Sequence, residues 1–223
     1  MAKSPTEFRT LSMTPSREAF SCSRTEEELQ SLGHQGALSW IQRFSTAENI
    51  QKLSKNNLHW YEMNTDSLAD LVMFINYGDR LFVGRVNPPS FADQRLVTLK
   101  PRDEQVDIDL HHALLNTAIS MFMIEGMGFG RGLGALDLNK DRIENYMHIL
   151  DANQLNADQV DQIKAAFLPL TQRGILPIAD ELEQSDRIAF DDAVIEAFRL
   201  QVSRTDIYNA VLSLAEIRRT ASE

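Results

Sequence analysis

Apolar positions recur at helical spacing in two short stretches near the amino-terminal end of the chain. Thr25 and the three glutamates that follow it predict a capped helix, which ends at Gly33. Apolar residues between positions 37 and 44 predict a second short helix, and a polar run follows over residues 45–57. Residues 1–23 are rich in Ser, Thr and Pro, so they predict an extended lead-in without a function of its own.

Between residues 60 and 100 the pattern changes to short runs of apolar and β-branched side chains, which are typical of strands. These runs cover residues 71–77, 81–86 and 96–99. Gly78-Asp79 leaves room for a tight hairpin turn, whereas Asn87-Pro88-Pro89-Ser90 requires a longer connection. We therefore expect a small antiparallel sheet.

The strongest helical pattern covers Asp107 to Glu125 and predicts one long, largely buried helix. The glycines of Gly126–Gly134 cannot continue a helix, so we expect a mobile or tightly turned loop there. A short helix from Asn139 and a short strand near residues 147–150 should follow. Three further helices are predicted to begin near residues that favour helix N-termini: Asn156, Ser185 and Ser203.

The fold class predicted by these patterns is α+β, with a small antiparallel sheet and a long buried helix, followed by a C-terminal helical subdomain. The expected division is an extended lead-in over residues 1–23, an α+β domain over 24–150, and a helical subdomain over 151–223 packed on that domain.

The charge of the chain is distributed unevenly. The formal net charge is −10, yet the first 100 residues hold 11 basic and 11 acidic side chains, against 11 and 21 in the remainder. Because Lys and Arg contacts with phosphate dominate DNA affinity, any DNA surface should lie mainly in the first half. A neutral module of this kind would bind DNA weakly alone and would need a basic partner.

Two sequence features bear on where the protein is found. No apolar stretch approaches the roughly 18 residues that a membrane span requires, and Met1 to Arg9 have polar residues where a signal peptide would have its apolar run. We therefore expect no membrane association and a cytoplasmic location.

Several motifs suggest chemistry, but their context argues against it. Asn87-Pro88-Pro89-Ser90 is similar to a tetrapeptide of amino-methyltransferases, but Ser90 cannot stack on an extruded base, which favours an ordinary proline turn. The five histidines never fall at metal-ligand spacing, and no glycine-rich cofactor loop precedes a helix. Asp191 with Asp192 is interpreted as a solvated helix face. We thus predict no catalytic, cofactor or metal site in this chain.

The glycines between Gly128 and Gly134 allow two interpretations. They permit a sharp reversal of the chain, or they let backbone amides and Arg131 approach DNA.

Eight segments, taken in their order along the chain, resemble one known family. They are Lys3–Arg9, Glu26–Leu29, Gly36–Ile41, Lys55–Tyr61, Asp79–Arg85, Leu114–Thr117, Glu125 with Gly128–Asp137, and Arg187–Glu196. These segments are similar to the carboxy-terminal target-recognition region of N6-adenine DNA methyltransferases from restriction–modification systems.

The resemblance implies a domain or subunit that positions and contacts duplex DNA for a catalytic domain that this chain does not contain. The methyl donor, S-adenosylmethionine, would bind that catalytic partner, and this chain alone would not be an enzyme. The alternative is a protein-interaction or assembly subunit, derived from such a domain, without DNA binding of its own.

The candidates for DNA contact are cations and amides of the first half and one arginine of the glycine-rich segment: Lys52, Lys55, Asn57, Arg80, Arg85, Arg95, Lys100 and Arg131. We expect Lys52, Lys55 and Lys100 to contact phosphates.

Arg85, Asn57 and Arg131 should lie nearer to bases, because arginine pairs best with guanine and asparagine with adenine. For each candidate, the alternative is a solvated surface residue or an ion-pair partner. Trp60 and Tyr61 are expected in a core rather than as stacking surfaces for bases.

Overall fold

The computed structural model describes residues 1–54, 57–64, 67–131 and 134–220, but not the side chain of Arg131. The chain divides into two compact units. The helical unit is Ser16–Leu68, and the sheet-containing unit combines Met1–Pro15 with Ala69–Glu223. This division differs from the expected boundary near residue 150, because the helices after that position share one hydrophobic core with the sheet.

The expected α+β class is confirmed. The α-helices are α1 (Glu26–Ser31), α2 (Gln35–Phe44), α3 (Ala47–Leu53), α4 (Ile108–Leu115), α5 (Ala118–Met127), α6 (Lys140–Tyr146), α7 (Ala157–Gln172), α8 (Ile178–Glu181), α9 (Ser185–Ala197) and α10 (Arg204–Thr220). The strands are β1 (Ser12–Met13), β2 (Ala69–Phe74), β3 (Asn76–Tyr77), β4 (Gly84–Ser90), β5 (Leu96–Leu99), β6 (Phe129–Arg131) and β7 (Ala135–Asp137).

The larger sheet has the strand order β1-β4-β2-β5. Its pairs are antiparallel except for β1 and β4, which run parallel, so the sheet is mixed rather than purely antiparallel. The prolines of Asn87-Pro88-Pro89-Ser90 lie inside β4, not in a connection between strands. The pairing of β4 with β2 is irregular beside them, which suits residues that cannot donate a backbone hydrogen bond.

Residues 1–15 are part of the sheet-containing unit, and the extended lead-in was a wrong prediction for them. The Phe8 side chain is fully buried and contacts the rings of Phe74 and Phe82. A β-carbon at Gly84 would overlap the Phe8 ring, so this glycine provides the space that the ring occupies. Ala2 and Leu11 are buried too, so a few apolar residues anchor a segment whose overall composition is polar.

The predicted long helix is two helices, α4 and α5, which meet at Asn116 and Thr117. The Thr117 hydroxyl caps α5 by accepting a hydrogen bond from the backbone of Ser120. The buried Asn116 amide bonds to the backbone of Val83 in both directions. These tertiary hydrogen bonds compensate for the break in the helix.

One further helix was not predicted, and one predicted strand is absent. The polar run after residue 44 contains α3, which Thr46 caps through the backbone of Asn49. Residues 147–150 form no strand, and Met147 and Leu150 pack against the core as irregular chain. The predicted caps at Thr25 and Asn156 are confirmed, each with a capping box.

Candidate nucleic-acid interface

Three of the predicted DNA contacts belong to the helical unit. Lys52 is exposed on α3 and pairs with Glu48 one turn earlier at 2.6 Å. Asn57 is exposed and has a positive φ of 61°, a backbone conformation that asparagine tolerates better than most residues. Lys55 lies outside the described residues. The Lys52 ion pair is exposed, so it would compete only weakly with phosphate.

Arg80 and Arg85 form contacts within the sheet-containing unit. The Arg80 guanidinium donates to the backbone oxygens of Pro5 and Phe8, at 3.2 and 3.1 Å. Arg85 forms an ion pair with Asp109. These contacts favour the alternative for both arginines, in which they bind other residues of the chain rather than DNA.

Arg95 directly precedes β5, an edge strand of the larger sheet, and Lys100 directly follows it; both are exposed. Five residue steps separate them, or about 17 Å along an extended strand. The side chain of Arg131 lies outside the description, although its backbone belongs to β6. The predicted residues are thus distributed over both units.

A polar cleft of about 690 Å³ lies within the helical unit. From α2 it is lined by Gln35, Ser39 and Gln42, which share one face because their spacing follows the helical period. Gln30 of α1 adds a third glutamine. Within the described residues, the side-chain amides of these glutamines make no hydrogen bond, so they can bind a ligand.

Aromatic rings and carboxylates complete the cleft. The rings of His59 and Tyr61 stack with centroids 5.0 Å apart, and Trp60 lines the cleft beside them. The Tyr61 hydroxyl donates to the backbone oxygen of Arg24, and burial together with the charge of Glu26 raises the pKa of this phenol. Tyr61 therefore stays protonated at neutral pH. Its burial confirms the expectation that it belongs to a core.

Trp40 is an exposed aromatic residue of α2 that was not among the predicted site residues. Its ring stacks on Phe20 at 4.1 Å and lies 6.1 Å from Trp60, and 37% of the residue is exposed. Phe44, one turn further along α2, is equally exposed. The i, i+4 spacing of these two aromatic residues was the available signal for a second apolar face.

Arg187 and Asp191 belong to a segment that resembles the methyltransferase family, and they lie in a buried ionic cluster of the sheet-containing unit. Arg187 is 1% exposed, and it donates to Glu181 and to the backbone oxygen of Asn116. Asp191 is buried as well, so the expectation of a solvated carboxylate was wrong. It accepts hydrogen bonds from the Ala118 amide and the Tyr208 hydroxyl, each at 2.9 Å. Burial raises the pKa of Asp191.

The described part of the glycine-rich segment includes β6, which pairs with β7. Gly134 has a φ of 71°, which suits a reversal of the chain. Its backbone oxygen accepts a hydrogen bond from Arg218 of α10, which also pairs with the buried Glu125 at 2.8 Å. These contacts favour the structural interpretation of the glycines.

The described residues contain no helix long and apolar enough to cross a membrane. Nor do these residues include any group of three histidine, cysteine, aspartate or glutamate side chains that could hold a metal ion. No protein-family model, no curated protein and no solved structure matches the chain.

Proposed function

We propose that the chain is a DNA-recognition module that acts with the catalytic domain or subunit of an adenine-N6 DNA methyltransferase. It contacts duplex DNA, and the partner binds S-adenosylmethionine and transfers the methyl group. The family resemblance of the sequence suggests this role. The polar cleft of the helical unit is the structural observation that supports it.

The chemistry of the cleft suits base edges. Glutamine presents a donor and an acceptor side by side, which matches the two groups that adenine exposes in the major groove. Gln35 and Gln42 lie on the same face of α2, and both amides lack a partner among the described residues. Glu26 and Glu27 at the same cleft could accept from the amino group of cytosine.

Both units of the chain carry more acidic than basic residues, which favours a basic partner for DNA binding. The helical unit has 5 basic and 7 acidic residues, and the sheet-containing unit has 17 and 25. Lys52, Arg95 and Lys100 are exposed and can contact phosphates, but few such contacts give weak binding. A basic catalytic partner would supply the remainder.

The second candidate is a protein-interaction subunit, and an exposed apolar surface favours it. Five large apolar side chains of the helical unit are exposed: Leu32, Trp40, Phe44, Ile50 and Leu53. Exposed apolar residues in such number within a small unit are typical of interaction sites.

The test is the binding of a labelled random-sequence duplex to the whole chain, measured by fluorescence anisotropy at low and moderate salt. Both tryptophans of the chain lie in the helical unit, so their fluorescence reports on binding there. We expect the double change Gln35→Ala and Gln42→Ala to weaken binding to the duplexes that the chain selects from the random pool by about 1–3 kcal/mol, because base contacts discriminate between sequences. Binding to the unselected pool should change little, since phosphate contacts dominate it. Gln162→Ala, an exposed glutamine on α7, is the matched control and should have no effect.

Salt dependence separates the two candidates. DNA binding through phosphates weakens steeply with salt, and Arg95→Ala should reduce the slope by about one unit. An apolar protein interface responds little to salt. Absence of binding at low salt would contradict DNA recognition by this chain and favour the interaction subunit.

A further inference from the structure

An apolar cavity of about 500 Å³ lies in the sheet-containing unit. Its floor is formed by two cross-strand pairs of β2 and β5, Leu71 with Leu99 and Met73 with Val97. These four side chains share one face of the sheet, because side chains alternate along a strand. A volume of this size falls within the range of small-molecule sites.

Helices form the walls of this cavity. Ile108, His111 and Leu115 of α4 line it and repeat at the helical period, so one face of α4 is turned toward the sheet. Ile143 of α6 and Met147 after that helix line it as well. All but one of these residues are apolar, and the cavity therefore favours an apolar occupant.

A second groove, of about 600 Å³, adjoins the cavity. The two share the lining residues Asp103, Val106, His111 and Ile149, so an occupant of the cavity can extend into the groove. Among the residues that line only the cavity, the cations Lys100 and Arg102 occur together with Glu144.

The groove is acidic. Asp107 pairs with Lys164 at 2.9 Å, which leaves Asp103 and Asp151 to set the net charge. Both accept hydrogen bonds from nearby backbone amides, of Gln105 and Asn153 respectively. Within the described residues neither carboxylate has a cationic partner, so the groove has a net negative charge.

We propose that the cavity and groove together bind a ligand with an apolar body and a cationic end. The apolar body lies in the cavity over the β2–β5 face, and the cation lies between Asp103 and Asp151. The proposed occupant is a free alkyl amine, because the volume of the cavity falls within the range of small-molecule sites. The site lies within the sheet-containing unit and does not depend on the proposed DNA recognition.

Three compounds with the same ten-carbon chain test the site: decylammonium, decanol and decanoate, each kept below its micelle-forming concentration. Binding to the whole chain is followed without DNA by methyl chemical shifts in NMR spectra. We expect saturable shifts at Val97, Ile108 and Ile143, with decylammonium binding about tenfold more tightly than decanoate.

Two sets of variants locate the parts of the ligand. Leu99→Trp fills the cavity and should weaken the binding of all three compounds by roughly tenfold or more. Leu168→Trp, at an exposed position of α7, is the control and should leave their binding unchanged. The double change Asp103→Asn and Asp151→Asn should weaken the binding of decylammonium by about two- to fivefold. It should leave the binding of decanol unchanged. Asp161→Asn, an exposed acid on α7, is its control.

A blocked peptide of two leucines followed by two lysines tests whether a protein segment binds instead. Decylammonium binding without peptide binding supports the free amine, and tighter binding of the peptide at the same three methyl groups would overturn it. The proposal is overturned if none of the ten-carbon compounds binds saturably, or if decanoate binds as tightly as decylammonium. Unchanged binding by folded Leu99→Trp would overturn it too.

Discussion

The two units bury their side chains in different ways. The helical unit has four buried apolar residues at its centre, Leu29, Leu38, Ile41 and Tyr61, while it leaves large apolar side chains exposed. The sheet-containing unit has a much larger core and also buries charged groups, among them Arg187 and Arg218 with their carboxylates.

The two units should therefore respond differently to the loss of single interactions. A small unit buries a smaller fraction of its surface, so each local interaction is a larger part of its stability. A large core can keep a buried ionic cluster, provided that every charge has its partner. We therefore expect the larger unit to be sensitive to lost partners and to acid, and the smaller unit to be sensitive to lost helix caps.

The largest effect is expected from Arg187→Met. This change removes the buried cation that pairs with Glu181 and leaves buried Asp191 without a cationic partner among the described residues, at a cost of about 3–5 kcal/mol. Glu181 keeps its ion pair with Arg173. Urea unfolding followed by far-UV circular dichroism measures the loss. Arg204→Met, at the exposed pair with Asp192, should cost less than about 1 kcal/mol. Equal losses in the two variants would mean that the buried cluster adds no particular stability.

A smaller effect should follow from acidification. Burial is the main reason that the pKa of His112 is lowered to about 4, and its Nε2 donates to the backbone oxygen of Val83. Because the unfolded pKa is about 6.5, the unfolded chain takes up a proton first as the pH falls. Stability is therefore lost below about pH 6.5, by about 2 kcal/mol between pH 7.5 and pH 5.

The control for this pH effect is His112→Gln, which cannot titrate in that range. Its unfolding free energy should change little between pH 7.5 and pH 5, although its stability at pH 7.5 is lower than that of the wild type. Should the variant keep the full pH dependence, another group would be responsible for it.

The smallest effect is expected in the helical unit. Thr25→Ala removes the hydroxyl that accepts from the Glu28 backbone amide, and loss of this cap should cost about 1 kcal/mol. Tryptophan fluorescence monitors the transition, since Trp40 and Trp60 both belong to this unit. Thr25→Ser keeps the hydroxyl and should retain most of the stability; an equal loss there would argue against the cap.

The candidate site was only partly predictable. Lys52, Arg95 and Lys100 are exposed as a DNA contact requires, but Arg80 and Arg85 are engaged with neighbours distant in the sequence. The glutamines of the cleft were not predicted, because an exposed glutamine has no distinctive pattern. They became candidates only when the packing of α1 and α2 placed them around one space.

The sequence alone determined the α+β class and the helix starts at Thr25 and Asn156, because a cap is a hydrogen bond between residues three positions apart. The core position of Phe8 and the break in the helical pattern at Asn116 emerge only from long-range packing. The same holds for the burial of Asp191. Each depends on a partner far along the chain, and such partners are set by the packing of the whole unit rather than by local sequence.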